Sequence, residues 1–380
     1  MTAGTDTQAL IEKTQDLVER TLKPNARAID RERRFPAENL RALAGPGLMG
    51  LMVPVAHGGL GGSLGDLVRV EEEIGRGCAS TAMCFLMHCC GVATIAAKAS
   101  PEQGERWLRP AARGELLATL AFSERGTGAH FYQPELALQA RNGAFLLSGR
   151  KSFVTSGSHA DLYPVLVQSP AGQGLDIFVV EKAAAGLSFE GAWEGVGMAG
   201  NSSIAANFED VRLTEADRLG APGSGQELVF GVVAPAFLAG LAAVNAGIAL
   251  AALDDAVEHA KARRYSAGTS LAEVPAVQRH LADMAVKAES ARQLARSAAA
   301  AADRGDAAAL AMLIEAKIGA TRAAQGVTET AMEVGGGLAY SRAVDIERHW
   351  RDARAGSVMA PTNDVLAEWL GKVLAGLPLF

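Results

Sequence analysis

The chain lacks the basic surface that nucleic-acid binding requires. Its 36 lysine and arginine residues are outnumbered by 42 aspartate and glutamate residues, which gives a formal net charge of -6. Proteins that bind a phosphate backbone carry a basic stripe or patch, and the sequence contains neither. It therefore argues against nucleic acid as a partner and indicates an ordinary acidic, soluble protein.

Targeting and metal-binding motifs are also missing. Residues 1–8 are polar, with no basic and apolar leader, and no run of about 18 uninterrupted apolar residues follows. We therefore expect a cytoplasmic protein without a membrane partner. The four cysteines, Cys78, Cys84, Cys89 and Cys90, share one apolar segment. They have no Cys-x-x-Cys spacing and no second cluster, so the sequence predicts buried thiols and no metal site.

The spacing of hydrophobic residues changes along the length of the chain. Hydrophobic residues make up 49% of 380 residues, enough for sizeable cores in two or three domains. Helical spacing dominates residues 10–117 and strand-like alternation begins near residue 118. Asn142-Gly143 between residues 136–141 and 144–148 predicts a two-residue hairpin. Further strands are predicted at 162–168, 176–181, 187–189 and 203–208.

Helix formers return after residue 221. Long alanine-rich helices are predicted at 236–265, 275–302 and 306–332. The pattern therefore predicts three domains: an N-terminal α-helical domain (1–118), a middle β domain (119–221) and a C-terminal α-helical bundle domain (222–380).

A motif near the C-terminus points to a known family. It consists of Arg351-Asp352-Ala353-Arg354, four intervening residues, and Ala360-Pro361-Thr362. It resembles the active-site segment of the acyl-CoA dehydrogenase family, Arg-Asp-x-Arg followed by Glu-Gly-Thr. A gapless overlay places Ala360 on the catalytic glutamate, Pro361 on the glycine and Thr362 on the threonine.

The resemblance covers nearly the whole chain. Residues 53–59 and the acidic helix at 70–75 resemble N-terminal landmarks of the family that belong to its scaffold. The implied fold is α+β and acyl-CoA dehydrogenase-like, with an N-terminal α-helical domain, a middle β-barrel domain and a C-terminal four-helix bundle. The implied protein is an FAD-dependent oxidoreductase of fatty acid metabolism.

Two segments carry the resemblance on the flavin side. Residues 120–130 resemble the family signature Ser/Thr-Glu-Pro-x-x-Gly-Ser-Asp, which assigns Phe122 (through its backbone), Ser123 and Gly128 to the cofactor. Hydrogen-bond donors at these positions would stabilise the negative charge of the reduced flavin ring, as the donors of an oxyanion hole stabilise an oxyanion. Residues 151–157 resemble Lys-x-Trp-Ile-Thr-Asn-Gly, which assigns Phe153 and Thr155. Arg125, Ala129 and His130 depart from the first signature.

The resemblance also implies contacts to the phosphate and adenosine half of FAD. Arg264 matches an arginine that reaches the pyrophosphate across a subunit interface. A glycine-rich segment contributes Glu333, Gly336 and Gly337, and Thr362 completes the predicted cofactor-binding set. Because these contacts make sense only across an interface, we expect a homo-oligomer, a dimer or a homotetramer.

The usual catalytic base is missing. The family places a carboxylate at the position of Ala360 or, in some branches, at the position aligned with Phe237, and neither is acidic here. General-base catalysis contributes roughly 10² to 10⁴ in rate. Asp364 and His130 are the weak candidate substitutes, and Glu124 is a third. Asp364 also fits a first-turn acid at a helix start.

The predicted substrate pocket is apolar. Its residues are Val233, Phe237, Leu241 and Ala360, although the three on the helix are equally well interpreted as core residues of the bundle.

Three hypotheses about the function stay open. The chain dehydrogenates an acyl thioester, carried by CoA or a carrier protein, with an unconventional base or a homologous partner subunit and an electron-transfer partner. Alternatively, it is a flavin-dependent monooxygenase on the same fold, or a non-catalytic subunit of a heteromeric dehydrogenase.

Overall fold

The chain folds in the predicted order of helices, strands and helices. The computed structural model describes residues 7–170 and 172–379, so most of the polar segment 1–8 lies outside the described residues. The helices are α1 Thr7–Leu17, α2 Lys23–Glu32, α3 Ala37–Ala44, α4 Leu64–Gly77, α5 Ala79–Lys98, α6 Pro101–Gln103, α7 Arg109–Ala112, α8 Gly225–Leu228, α9 Ala234–Ala262, α10 Pro275–Asp303, α11 Ala309–Ala339, α12 Ile346–Asp352, α13 Ala355–Val358 and α14 Asn363–Leu374. The strands are β1 Leu138–Arg141, β2 Ala144–Val154, β3 Leu162–Gln168, β4 Leu175–Glu181, β5 Leu187–Glu190 and β6 Ile204–Leu213. The α+β fold class is therefore confirmed.

The N-terminal helices surround α5. A capping box begins α4, in which the Ser63 hydroxyl accepts from the Asp66 backbone N–H at 3.2 Å and the Asp66 carboxylate accepts from the Ser63 N–H at 3.0 Å. Fifteen of the 20 residues of helix α5 are buried, among them Cys84, Cys89 and Cys90, which confirms the prediction of buried thiols. By length and composition, α5 and the stretch Gly225–Ala262 could each span a membrane. However, 89% and 67% of their most apolar windows lie inside the protein, as in core helices.

The middle part contains two sheets. Strands β1-β2-β6-β5 form one, and β3 pairs with β4 in the other, all antiparallel. The predicted hairpin turn joins β1 to β2, with φ of 51° at Asn142 and 73° at Gly143, which only such residue types adopt readily. Buried side chains of both sheets, among them Leu147, Val165 and Phe208, share one core.

The three longest helices, α9, α10 and α11, pack side by side, with α4 against them. Small residues make this close approach possible, because Ala288, Ala291 and Ala295 of α10 are all buried. Helix α11 extends to Ala339, past its predicted end at 332, and contains a break at Gly336 (φ 54°, ψ −142°). The domain boundaries at 118/119 and 221/222 stay predictions.

Candidate functional site

The two predicted flavin-side segments lie next to each other. The Ala121 N–H donates to the Pro164 carbonyl of β3 at 3.0 Å, which fixes the first segment against the sheet. The Ser152 N–H then donates to the Ser123 carbonyl at 2.8 Å. Residues 122–123 and 153–155, called the platform below, are therefore held side by side, as a shared site requires.

A buried ion pair holds the platform from behind. The Lys151 Nζ lies 2.6 Å from Glu124 Oε1 and also donates to the carbonyls of Phe122 at 3.1 Å and Leu166 at 2.6 Å. Burial lowers the pKa of Lys151 to about 8, although Glu124 opposes this. The Glu124 carboxylate also accepts backbone N–H groups from residues 135 and 136. Its oxygens are thus fully engaged, and Glu124 is not placed to act as a free base.

Phe153 combines an unusual backbone conformation with an exposed side chain. It lies in the left-handed region at φ 53°, and 70% of its side chain is exposed although it stands at the end of a long strand. A positive φ costs a bulky residue about 1–3 kcal/mol and persists where the surroundings enforce it. Its ring meets Trp193 edge to face, with 6.5 Å between centroids. This arrangement presents an aromatic face that a flat ring can cover.

Thr155 is buried at the inner edge of the platform. Its hydroxyl lies 2.9 Å from the Ser203 hydroxyl, and its carbonyl accepts from the Thr119 hydroxyl at 2.7 Å. Ser123 is half-buried. Together with the exposed Phe153, these hydroxyl and backbone groups fit a planar cofactor that needs stacking on a ring and donors along one edge.

The remaining residues of the first signature form an exposed turn. Gly128 has φ 55°, and a side chain there would meet nothing within 4 Å. His130 is exposed, with its ring edgewise to Tyr132 at 5.9 Å. Nothing in these contacts aims the imidazole of His130 at the platform.

The Arg-Asp pair of the C-terminal motif anchors the chain. Arg351 binds Asp30 of α2 through two contacts, at 2.7 and 2.6 Å, and its Nε donates to Glu347 at 2.7 Å. Asp352 accepts the Met198 backbone N–H at 2.5 Å. The motif therefore ties α12 to the N-terminal helices and to the middle part, and in doing so sets where residues 353–362 lie.

Ala360 stands where the overlay predicts a base. It is half-buried and packs against the same core as Phe237, Val233 and Leu241 of the predicted pocket. Thr362 caps α14 by accepting the Val365 N–H at 3.4 Å, which confirms the predicted helix start. Asp364 lies exposed in the first turn of α14, where its charge favours the helix dipole.

One buried lysine next to this segment escaped the sequence analysis. Lys317 of α11 is fully buried and donates to the Pro361 carbonyl at 3.0 Å and to Asn363 Oδ1 at 2.8 Å. Burial lowers the pKa of Lys317 to about 7. Within residues 7–170 and 172–379 it forms no ion pair. Its position among Ile314, Ile318 and other apolar residues of α11 was the available signal, because lysine there must find polar partners.

The predicted phosphate-side residues lie on the surface. Arg264 is exposed, and its Nη1 donates to Gly268 of its own hairpin at 3.2 Å. Glu333 is exposed, and side chains at Gly336 or Gly337 would meet nothing within 4 Å. Among the described residues no hydrogen bond links this group to the platform. No group of three or more metal-ligating side chains occurs in that part of the chain either.

Comparison with known proteins gives matches over almost the full length. Models of the N-terminal, middle and C-terminal domains of acyl-CoA dehydrogenase match residues 4–115, 119–211 and 239–375. The mitochondrial short-chain specific acyl-CoA dehydrogenase of Sus scrofa is 32% identical, over 94% of this chain and 87% of that one.

Two further relatives agree with these matches. The cyclohex-1-ene-1-carbonyl-CoA dehydrogenase of Geobacter metallireducens is 32% identical over 96% of both chains. The solved butyryl-CoA dehydrogenase of Megasphaera elsdenii superposes with a TM-score of 0.92 at 26% identity, covering 98% of both chains.

Proposed function

Because the chain belongs to the acyl-CoA dehydrogenase family of FAD-dependent oxidoreductases, we propose that it oxidises the Cα–Cβ bond of an acyl thioester without a base at position 360. Bound FAD supplies the acceptor for the hydride that leaves Cβ. The observation that carries the proposal is the platform, where the exposed Phe153 and the hydroxyl of Thr155 lie beside Ser123.

In this proposal the chain's own residues position both reactants. Phe153 would cover one face of the cofactor ring, and Phe122 and Ser123 would offer hydrogen-bond donors to its edge. The thioester would lie beside the turn at Ala360, and the acyl group would lie along the apolar cluster that Ala360 shares with Leu241. Lys317 fixes that turn from behind through the Pro361 carbonyl.

The proton on Cα needs an acceptor other than residue 360. We propose an unconventional base or a homologous partner subunit, since a methyl group accepts no proton. Without a positioned base the rate falls by roughly 10² to 10⁴. Asp364 and His130 stay the candidates within this chain, although both are exposed.

A flavin-dependent monooxygenase is the second candidate. The observation that favours it is again Ala360, because reaction with oxygen does not require the missing carboxylate. A non-catalytic role in a heteromeric dehydrogenase is the third hypothesis. Two relatives at 32% identity support the first, because one is named as a short-chain specific acyl-CoA dehydrogenase and the other as a cyclohex-1-ene-1-carbonyl-CoA dehydrogenase.

The proposed assembly is a homo-oligomer, a dimer or tetramer. Arg264 and the glycines near residue 336 are exposed, and Tyr340 beside them is 86% exposed. An adjacent subunit that brings these residues to the cofactor's phosphates would account for their exposure. An electron-transfer protein is the proposed acceptor of the reducing equivalents.

The test is an anaerobic titration of the flavin-loaded protein with a panel of acyl-CoAs, followed by the visible absorbance of the oxidised flavin. Bleaching by an acyl-CoA is the expected result, with dithionite reduction as the positive control. If dithionite bleaches the flavin and no acyl-CoA does, dehydrogenation by this chain alone is refuted. Oxygen consumption and mixing with a homologous subunit then separate the other two hypotheses.

A further inference from the structure

Three consecutive glutamates of α4 lie in different environments. The Glu72 carboxylate accepts two hydrogen bonds from Arg296, at 3.1 and 2.9 Å. The Glu73 carboxylate accepts a hydrogen bond from Gln15 Nε2 at 2.9 Å. Glu71 is fully buried, and neither of its carboxyl oxygens has a hydrogen-bond partner in the described chain. Since successive helical residues project about 100° apart, Glu71 faces the interior while its neighbours face other helices.

Helix α5 packs against α4 on one side of Glu71. Burial raises the pKa of the Cys84 thiol to about 12 and also raises the pKa of the Glu71 carboxyl group well above its ordinary value, and Glu71 in its ionised form adds to the rise at Cys84. Glu71 likewise contributes to the raised pKa of Cys89 and Cys90, for which burial is again the main cause. Thiols are weak donors, and none of the three is within hydrogen-bond reach of the carboxyl group.

Helix α9 forms the other side, and its direction can be established. Helix α4 runs antiparallel to α10, because Asp303 at the end of α10 accepts the N–H groups of Leu64 and Gly65, at 2.9 and 2.8 Å, at the start of α4. A tight hairpin joins α9 to α10 and makes these two antiparallel. Helices α4 and α9 therefore run parallel.

The parallel packing places Glu71 beside the predicted acyl pocket. Gly75, one turn after Glu71 on the same face, packs against Val244 of α9. One turn earlier on α9 lie Gly240, which Leu86 of α5 covers, and Leu241 of the predicted pocket. Glu71 thus lies at the junction of α4, α5 and α9, level with Gly240 and with Leu241 of the predicted pocket.

A buried carboxyl group without a partner is costly. Burying a polar group without a hydrogen bond costs roughly 1–3 kcal/mol by mutational measures, and buried polar groups in folded proteins are nearly always paired. Ligand chambers use a few such groups within apolar walls to fix orientation. A hydrogen-bond donor on a ligand in this chamber would remove the cost.

We propose that Glu71 forms the polar inner end of the acyl chamber and binds a hydrogen-bond donor, a hydroxyl or amino group, at the far end of the acyl group. The inference rests on the proposed function, because it takes the acyl group to lie along α9. It predicts a substrate class of ω-substituted acyl thioesters rather than plain fatty acyl thioesters. A site built to pair with a donor discriminates strongly against the analogue that lacks it.

The test uses the flavin-loaded protein and matched pairs of acyl-CoAs of short to medium chain length. Each pair differs only in ending with a methyl group or with a hydroxyl or amino group, and the Kd of each is measured by calorimetry. At the chain length that reaches Glu71, we expect the donor-bearing member to bind at least about tenfold tighter. Glu71→Met should abolish or reverse that preference.

Two further variants make the result specific. Glu71→Gln keeps size and an acceptor oxygen, so it should reduce the preference for the amino group more than that for the hydroxyl. If Glu71→Met fails to fold, Glu71→Gln still tests the proposal. Glu73→Met, the same change on a different face of α4, should leave the preference unchanged.

The outcomes separate the two proposals. If acyl-CoAs bind but the members of every pair bind equally, or if Glu71→Met and Glu71→Gln keep the wild-type preference, the polar end is refuted while the proposed function stands. If no acyl-CoA of either kind binds the flavin-loaded protein, both are refuted. A loss of thermal stability in Glu71→Gln with unchanged selectivity assigns Glu71 to the scaffold and overturns the inference.

Discussion

Replacing Lys317 with methionine tests whether the buried lysine beside the turn at Ala360 has a pKa near neutrality. The folded protein keeps the pKa of this lysine at about 7, against an ordinary value of 10.5, because burial disfavours the charge. Below pH 7 both folded and unfolded chains bind the proton, so the folded state carries the full cost of the buried charge. Between 7 and 10.5 the folded chain has lost the proton while the unfolded chain retains it. Stability from this group therefore rises with pH.

The magnitude follows from the two pKa values. From about pH 6 to about pH 9, linkage gives a stabilisation of roughly 2–3 kcal/mol from Lys317 alone. A chain of this length shifts its Tm by about 1–2 °C per kcal/mol, by extension of the size scaling. The Tm of the native protein minus that of Lys317→Met should become more positive by roughly 3–5 °C over this range.

The assay is thermal unfolding of both proteins with saturating flavin across the pH range. Loss of the hydrogen bonds to Pro361 and Asn363 adds an offset that does not depend on pH. Lys261→Met is the matched control, because the Lys261 side chain is 63% exposed and its curve should run parallel to the native one. Parallel curves for Lys317→Met would refute the assignment of a neutral-range pKa to the buried lysine.

Three more predictions concern the platform, the base and the anchor. Thr155→Val should shift the spectrum or reduction potential of the bound flavin with the fold intact, and an unchanged flavin would contradict its placement beside Thr155. Ala360→Glu should raise acyl-CoA oxidation by up to about 10², and no gain in the flavin-loaded variant would indicate a remodelled pocket. Arg351→Met should destabilise the protein by about 3–5 kcal/mol in unfolding experiments, because it leaves Asp30 without its partner. A loss below about 1 kcal/mol would show that the pair contributes little.

Local signals in the sequence predicted much of the fold. The hairpin at Asn142-Gly143 has the positive φ angles that its residue types allow, and Thr362 begins a helix as its capping side chain indicates. Helix α4 begins at Leu64, six residues before the acidic helix at 70–75 that the sequence predicted. The capping box at Ser63 was the overlooked signal, since its third residue is Asp66 rather than the commoner glutamate or glutamine.

The sequence was less informative about the site. The adjacency of the platform segments was predicted by family resemblance rather than by periodicity, because residues 123 and 152 meet only through the tertiary fold. The burial of Lys317 and Glu71 was missed, because a charged residue on a helix is expected at the surface unless its tertiary neighbours are known. Among the three glutamates of α4, no local pattern distinguishes the unpaired Glu71 from the paired Glu72 and Glu73.

The contact between Arg351 and Asp30 has a consequence for how the chain is made. The partners are 321 residues apart, and ribosomes add roughly 5–20 residues per second. Asp30 therefore waits on the order of 15–60 s after its synthesis before Arg351 emerges. Throughout that interval the N-terminal helices lack the residue that neutralises this carboxylate. The N-terminal helices therefore cannot complete this contact until the chain has been synthesised through residue 351.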